Sequence, residues 1–119
     1  MTHHQRAMPD ERSALHPERL DPQVRERIRQ RSKAMFGNRD RLDVAVAIAL
    51  SDGLVNATDL SWSLRIANNR VRAQLLALSE LGLLRPAPME SATKRHYLRL
   101  ENAFWQTCLE LYREWAAEG

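Results

Sequence analysis

Between Ala67 and Leu81 the chain reads "ANNRVRAQLLALSEL", which sets Asn68, Asn69, Arg70, Arg72 and Gln74 within two helical turns. Side-chain amides donate and accept hydrogen bonds and guanidiniums donate them, so the chemistry they offer is recognition of a partner. Covalent chemistry has no comparable signal. The chain holds no glycine-rich phosphate loop, no clustered acid pair in a plausible pocket and no nucleophile with a matching base, so no catalytic residue is expected and the protein is not read as an enzyme. Metal chemistry is equally bare. One cysteine, Cys108, excludes an internal disulfide and a multi-thiolate site, and His3 with His4 are two neighbours in a tail without further ligands. His96 is expected to be a partly packed strand residue. No metal and no cofactor are expected.

At 119 residues, 44% hydrophobic and 28% charged, the chain fits one small domain with tails. Its longest apolar run, "VAVAIAL", falls well short of the roughly 20 residues that span a bilayer. A soluble, untargeted, cytoplasmic protein without membrane contact is therefore expected, and the lone thiol fits a reducing compartment. The net charge of +3 is unevenly spread. Residues 1–38 carry eight Lys/Arg and five Asp/Glu, residues 57–100 seven and three, and residues 101–119 one and four. The basic middle segment is suited to face a polyanion.

The elements that must position these side chains follow from caps and periodicity. Residues 1–19 show no apolar periodicity and are expected to be a disordered tail. Asp21 as N-cap, Pro22 in the first turn and Gly37 as stop predict a flanking helix over 20–37, with Val24, Ile28, Met35 and Phe36 as a thin apolar stripe. That helix is expected to be otherwise solvated, with direct nucleic-acid contact as the second reading. Asp40, which can cap, and the alanines of "RLDVAVAIAL" predict a buried helix from about Asp40 to Ser51. Asn56 with Asp59 resembles a capping box and predicts a short helix over about 57–65 that seats Ala57, Leu60 and Leu64. Trp62 points off that face, toward a neighbouring element or, in the second reading, a ligand.

The next helix runs from about Asn68 to Leu81. Val71, Leu75 and Leu78 lie within about 60° of one another and form its core stripe, and Gly82 ends it. Two short strands, Leu83 to Arg85 and Arg95 to Leu100, make a ribbon with a basic tip, in which His96, Leu98 and Leu100 alternate with Arg95, Tyr97 and Arg99. The last helix has Phe104, Cys108, Leu111 and Trp115 at coiled-coil spacing and Trp105, Leu109 and Tyr112 on the adjoining face. Two apolar faces point to pairing with a second chain. Phe104, Trp105, Cys108, Leu111, Tyr112 and Trp115 are the expected dimer interface, with two-sided packing inside one subunit as the alternative.

The order helix, short helix, turn, helix, ribbon, carried by "RLDVAVAIAL", "VNATDLSWSLRIANNRVRAQLLALSELGLLR" and "TKRHYLRLEN", resembles the winged helix-turn-helix of MarR-like and ArsR-like bacterial transcriptional regulators. The resemblance covers about half of the chain, and "VRAQLLALSELGLL" is its most specific part. It implies a mainly α fold with a small β-ribbon: the winged helix-turn-helix over 38–100, its recognition helix about 68–81 and its wing about 83–100, then a dimerisation helix over 101–119. It further implies a homodimeric, sequence-specific regulator of double-stranded DNA, acting as a repressor. Asn68, Asn69, Arg70, Arg72, Ala73 and Gln74 would face the major groove, Thr58 and Arg65 the backbone, and Lys94 and Arg95 phosphates or the minor groove. The alternative function is a winged-helix module for protein contact, an adaptor or antagonist of another factor. Two positions depart from the family pattern: Arg65 stands where glycine is common, and Leu76 lies on the outer side of the recognition helix. The metal-sensing thiolate clusters of ArsR-like proteins are missing, and no effector pocket is carried over.

Overall fold

The computed structural model describes residues 15–88 and 94–118. Helix α1, Pro22–Phe36, starts where the Asp21 carboxylate accepts from the backbone N–H of Gln23 and Val24 at 2.8 and 3.4 Å. It stops at Gly37, whose φ of 78° only glycine adopts without strain. Helix α2, Arg41–Leu50, leads into strand β1, Leu54–Asn56, and α3, Ala57–Leu64. Helix α4, Asn68–Glu80, is followed by β2, Leu84–Ala87, β3, His96–Arg99, and α5, Ala103–Ala117. The protein is thus mainly helical, five α-helices among the described residues, with a small three-stranded antiparallel sheet in the order β1-β3-β2.

Local signals explain most of these boundaries. The Asn56 side chain accepts from Asp59 N–H at 2.9 Å and opens α3. Helix α4 ends in a Schellman motif: Gly82 is left-handed, Leu83 N–H donates to Leu78 O at 2.9 Å, and Gly82 N–H donates to Ser79 O at 3.0 Å. The third strand has no such signal, since Leu54 to Asn56 is too short to show a period. It exists because β3 pairs on both sides, with Val55 and Pro86 flanking Tyr97 in register. Tyr97 is accordingly the buried residue of β3, whereas His96, Leu98 and Leu100 are half-buried. Pro86, which has no N–H, sits on the edge strand β2.

Helix α2 is the central rod. Every residue from Leu42 to Ala49 is buried, including the carboxylate of Asp43. A buried charge requires partners, and Asp43 has two. Tyr112 Oη of α5 donates to Oδ1 at 2.7 Å, and Arg25 Nε of α1 donates to Oδ2 at 3.0 Å. Burial pushes the Asp43 carboxyl above its ordinary value, and Tyr112 and Arg25 offset only part of that shift. Arg25 continues to Leu64 O at the end of α3, at 2.7 Å. One buried acid thus joins four helices.

Several sequence expectations change. Leu15 and Pro17 are buried and Pro17–Arg19 forms a 3-10 turn, so residues 15–19 pack on the core and are not part of a tail; His3, His4 and the rest of 1–14 lie outside the described residues. Asp40 makes no cap bond. Its N–H is held by Asn38 Oδ1 at 2.8 Å, which leaves the Asp40 carboxylate for arginines. Helix α1 is not a solvated helix with one stripe: Met35 is 52% exposed, Ser32 is buried, and Arg25, Arg27, Arg29 and Arg31 all bind other elements. Trp62, expected against a neighbour, is 81% exposed. In α5, Trp105, Cys108 and Tyr112 are buried within the subunit, because α5 lies along α2 with α1 beside it. Those three residues cannot meet a second chain. Burial also pushes the Cys108 thiol up to about 12, which keeps it protonated and unreactive.

Replacing Tyr112 by Phe removes one hydroxyl and leaves Asp43 Oδ1 without its donor. The variant is expected to lose about 1–3 kcal/mol of stability, read as a lower urea midpoint at unchanged m. A midpoint equal to wild type would show that this bond holds nothing together.

Candidate nucleic-acid interface

The two helices α3 and α4 meet at a turn of three residues. Arg65 is the one non-glycine residue with positive φ among the described residues, at φ 58° and ψ 45°. Glycine fills such a left-handed position at no steric cost, and other residues rarely adopt it. The turn is held from within: Ser61 O accepts from Arg65 N–H at 2.9 Å, and Ser61 Oγ donates to Ile66 O at 2.6 Å. Ala67, the N-cap of α4, has no side chain able to cap. The first backbone N–H groups of α4 therefore receive no side-chain cap, as anion contacts at a helix start require.

Helix α4 seats Val71, Leu75 and Leu78 in the core as expected. Its outer row and the tip of β3 enclose a groove of about 420 Å³. Buried Leu75 and Tyr97 with Ala57 form its floor. Thr58 and Asn68 stand half-buried on its sides, and Arg72, Leu76, Lys94 and Arg95 are exposed at its rim. Five residues named from the sequence thus converge on one concavity: Thr58, Asn68, Arg72, Lys94 and Arg95. Lys94 lies 3.6 Å from Asp59, with both side chains solvent-exposed, so screening leaves its charge available to another anion. Leu76, 56% exposed, places an isobutyl group at the rim between the cations.

The other candidates separate. Asn69 and Ala73 are exposed on α4 outside the groove lining. Arg65 stands at the turn, beside Trp62, in a second depression of about 480 Å³. Gln74 is 2% exposed and accepts from Arg41 Nε, so it is removed from any groove-facing role. The signal was in the spacing: 71, 74, 75 and 78 are the i, i+3, i+4, i+7 positions of one core stripe. Arg70, expected to face the groove, does not line it. Its guanidinium grips Asp40 through Nε to Oδ2 at 2.9 Å and Nη2 to Oδ1 at 2.6 Å, and Arg29 Nη2 adds a third bond at 3.2 Å. Arg70 fixes α4 against the start of α2 and does not point at the groove. Burial raises the Asp40 carboxyl, but Arg70 and Arg29 outweigh it and hold the group below its usual value.

Sequence reasoning missed the framework cations altogether. Arg99 Nη1 donates to Ile48 O, Ala49 O and Ser51 O at 2.7, 3.1 and 3.1 Å, neutralising the C-terminal end of α2. Arg27 Nη2 donates to Trp115 O at 3.1 Å near the end of α5, and Arg31 forks onto Glu118 at 2.7 Å while lying over the Trp115 ring. No pattern in a single sequence pairs such partners. Among the described residues there is no group of three His, Cys, Asp or Glu placed to hold a metal, and no helix long and apolar enough to cross a membrane. No protein-family model, curated protein or solved structure matches the chain.

The lowered carboxyl of Asp40 has a signed consequence. Its folded-state value lies below the unfolded value near 3.8, so its stabilising contribution is full above that pH and disappears as pH falls through the folded value. Asp40→Asn is expected to be less stable than wild type by about 1–2 kcal/mol at pH 6. That gap should shrink in urea titrations below pH 4. A gap independent of pH would show that the carboxylate charge is not what ties Arg70 and Arg29.

Proposed function

We propose that this chain is a winged helix-turn-helix that binds double-stranded DNA in a sequence-specific manner and regulates transcription. The observation that carries the reading is the groove between α4 and β3, where Arg72, Lys94 and Arg95 surround Thr58 and Asn68. Helix α4 is the recognition helix in this proposal, and the β2–β3 ribbon is the wing. Arg72 and Asn68, with exposed Asn69 and Ala73 on the same helix, offer the base-edge contacts: arginine to guanine, asparagine to adenine, and a methyl group to thymine. Lys94 and Arg95 supply phosphate or minor-groove contacts, and Arg65 a further backbone contact at the turn. The left-handed Arg65 supports this reading, because it gives the turn the geometry that glycine supplies in the resembled regulators.

Action is proposed as repression by occupancy, with two subunits reading half-sites roughly 34 Å apart. A homodimer formed through α5 would use its half-buried flank, since Trp105, Cys108 and Tyr112 are taken up by the core. Phe104, Leu111 and Trp115 are only half-buried there, and Phe36 of α1 meets Phe104 edge-on at 6.4 Å between ring centroids. The second reading, a winged helix that docks protein, is favoured by Leu76 and Leu81, both exposed apolar residues on and after α4.

Binding of a fluorescent duplex measured against salt tests the first reading. The wild-type affinity is expected to fall steeply with salt, and Arg72→Ala with Lys94→Ala and Arg95→Ala to reduce the log–log slope by about one per cation removed. Unchanged affinity and slope in the triple variant would refute the groove assignment. Light scattering of the full chain tests pairing: Leu111→Glu should convert a dimer to a monomer with unchanged circular dichroism, and a variant that stays dimeric places the interface elsewhere.

A further inference from the structure

His96 stands on β3 next to the groove rim, and both of its ring nitrogens have neighbours. Nδ1 lies 3.1 Å from the backbone carbonyl of Lys94, and Nε2 lies 3.4 Å from Nδ2 of Asn56, the register partner of His96 on β1. The Asn56 amide is not free to turn over and suit the ring, because both of its ends are committed to α3. Its Oδ1 accepts from Asp59 N–H at 2.9 Å as the helix cap, and its Nδ2 donates to Asp59 Oδ2, also at 2.9 Å. A donor therefore faces Nε2, so Nε2 is the acceptor and the ring proton sits on Nδ1, where it is donated to Lys94 O. The neutral Nδ1–H tautomer is the form that satisfies both contacts.

The charged groups around the ring decide what a second proton does. Among the described residues they are Asp59 from α3, Lys94 and Arg95 on β3 itself, and Arg85 of β2, which shares a sheet face with Ala87, the β2 partner of His96. Asn56, from β1, is neutral. A proton on Nε2 sets donor against donor at Asn56, and the acceptor beside that contact is the Asp59 carboxylate, whose neighbouring cation is the exposed Lys94 at 3.6 Å. We propose that His96 is a proton switch at the wing: once charged it takes Asp59 in place of Lys94, frees the Lys94 ammonium and adds a cation beside Lys94 and Arg95 at the groove rim. The switch rests on the duplex-binding reading given above and adds regulation to it. Its sign follows from linkage. A polyanion favours the form with the extra proton, so affinity rises as pH falls through the range in which histidines titrate, about pH 8 to 5, and is lowest where the ring is neutral.

Two measurements on the full chain test it. Nitrogen-15 NMR of the free protein at about pH 8 reads the tautomer without DNA: the Nδ1–H form of His96 is expected, and a neutral ring protonated at Nε2 overturns the switch whatever the duplex data show. Anisotropy of a labelled random-sequence duplex of about three helical turns, at constant low salt, reads the consequence, an affinity that rises about three- to tenfold from about pH 8 to about pH 6. His96→Gln, which leaves His3, His4 and His16 in place, should bind as wild type does at the higher pH and lose the rise. Asn56→Asp keeps a good helix cap and turns an acceptor toward Nε2, so it should move the rise to higher pH. A flat wild-type profile, or a rise that survives in His96→Gln, overturns the switch and leaves the groove reading intact. No duplex binding at any pH overturns both.

Discussion

The carboxylate of Asp43 has no contact with water, and most of the architecture can be followed outward from that fact. A charge inside a buried stretch whose other residues, Leu42 to Ala49, are apolar is tolerated only with donors on both oxygens. Those donors come from α5 through Tyr112 and from α1 through Arg25, and the second guanidinium nitrogen of Arg25 reaches the last carbonyl of α3. Removing the acid would leave Arg25 Nε and the Tyr112 hydroxyl without their acceptor. The network therefore sets the placement of α3, which carries Thr58 of the groove, against α1, α2 and α5, although none of its members lies in the groove.

The same chemistry recurs around the molecule. Arg99, Arg25 and Arg27 each donate to carbonyls at the C-terminal end of a helix, where the unpaired carbonyls and the helix dipole concentrate negative potential. Arg29 and Arg70 converge on Asp40, and Arg31 forks onto Glu118. Much of the basic excess in the opening third and in the middle of the sequence is thus internal mortar. Among the cations that stay exposed, Arg72, Lys94 and Arg95 stand at the groove and Arg65 at the turn. A modest net charge is consistent with a sharply localised surface.

Framework and interface meet at Arg70. A guanidinium on the first turn of α4 would ordinarily be counted among the recognising residues, but its two bonds to Asp40 make it the strut that holds α4 at its angle. Arg72, two residues on, faces the other way and stays exposed. Rigid support behind a helix whose outer row is solvated is what a preorganised contact surface needs, because the side chains that meet a partner then start from a fixed backbone.

The sequence alone determined the elements whose signals act over a few residues. Asp21 with Pro22 and Gly37, Asn56 with Asp59, and Gly82 mark helix ends because capping bonds close within four residues. The stripe of Val71, Leu75 and Leu78 is legible for the same reason, and the place of Gln74 in that stripe carries the signal of its burial. Tertiary structure decided the rest. Asp40 and Arg70 are 30 residues apart and Asp43 and Tyr112 are 69 apart, so which cations are locked inside and which remain on the surface depends on packing that no local pattern encodes. Packing also decided that the inner face of α5 belongs to this subunit, that β1 joins the ribbon, and that Trp62 stands in solvent. Composition set how many charges and rings the chain owns; only the fold could assign their partners, because long-range ion pairs and buried faces are properties of elements brought together in space.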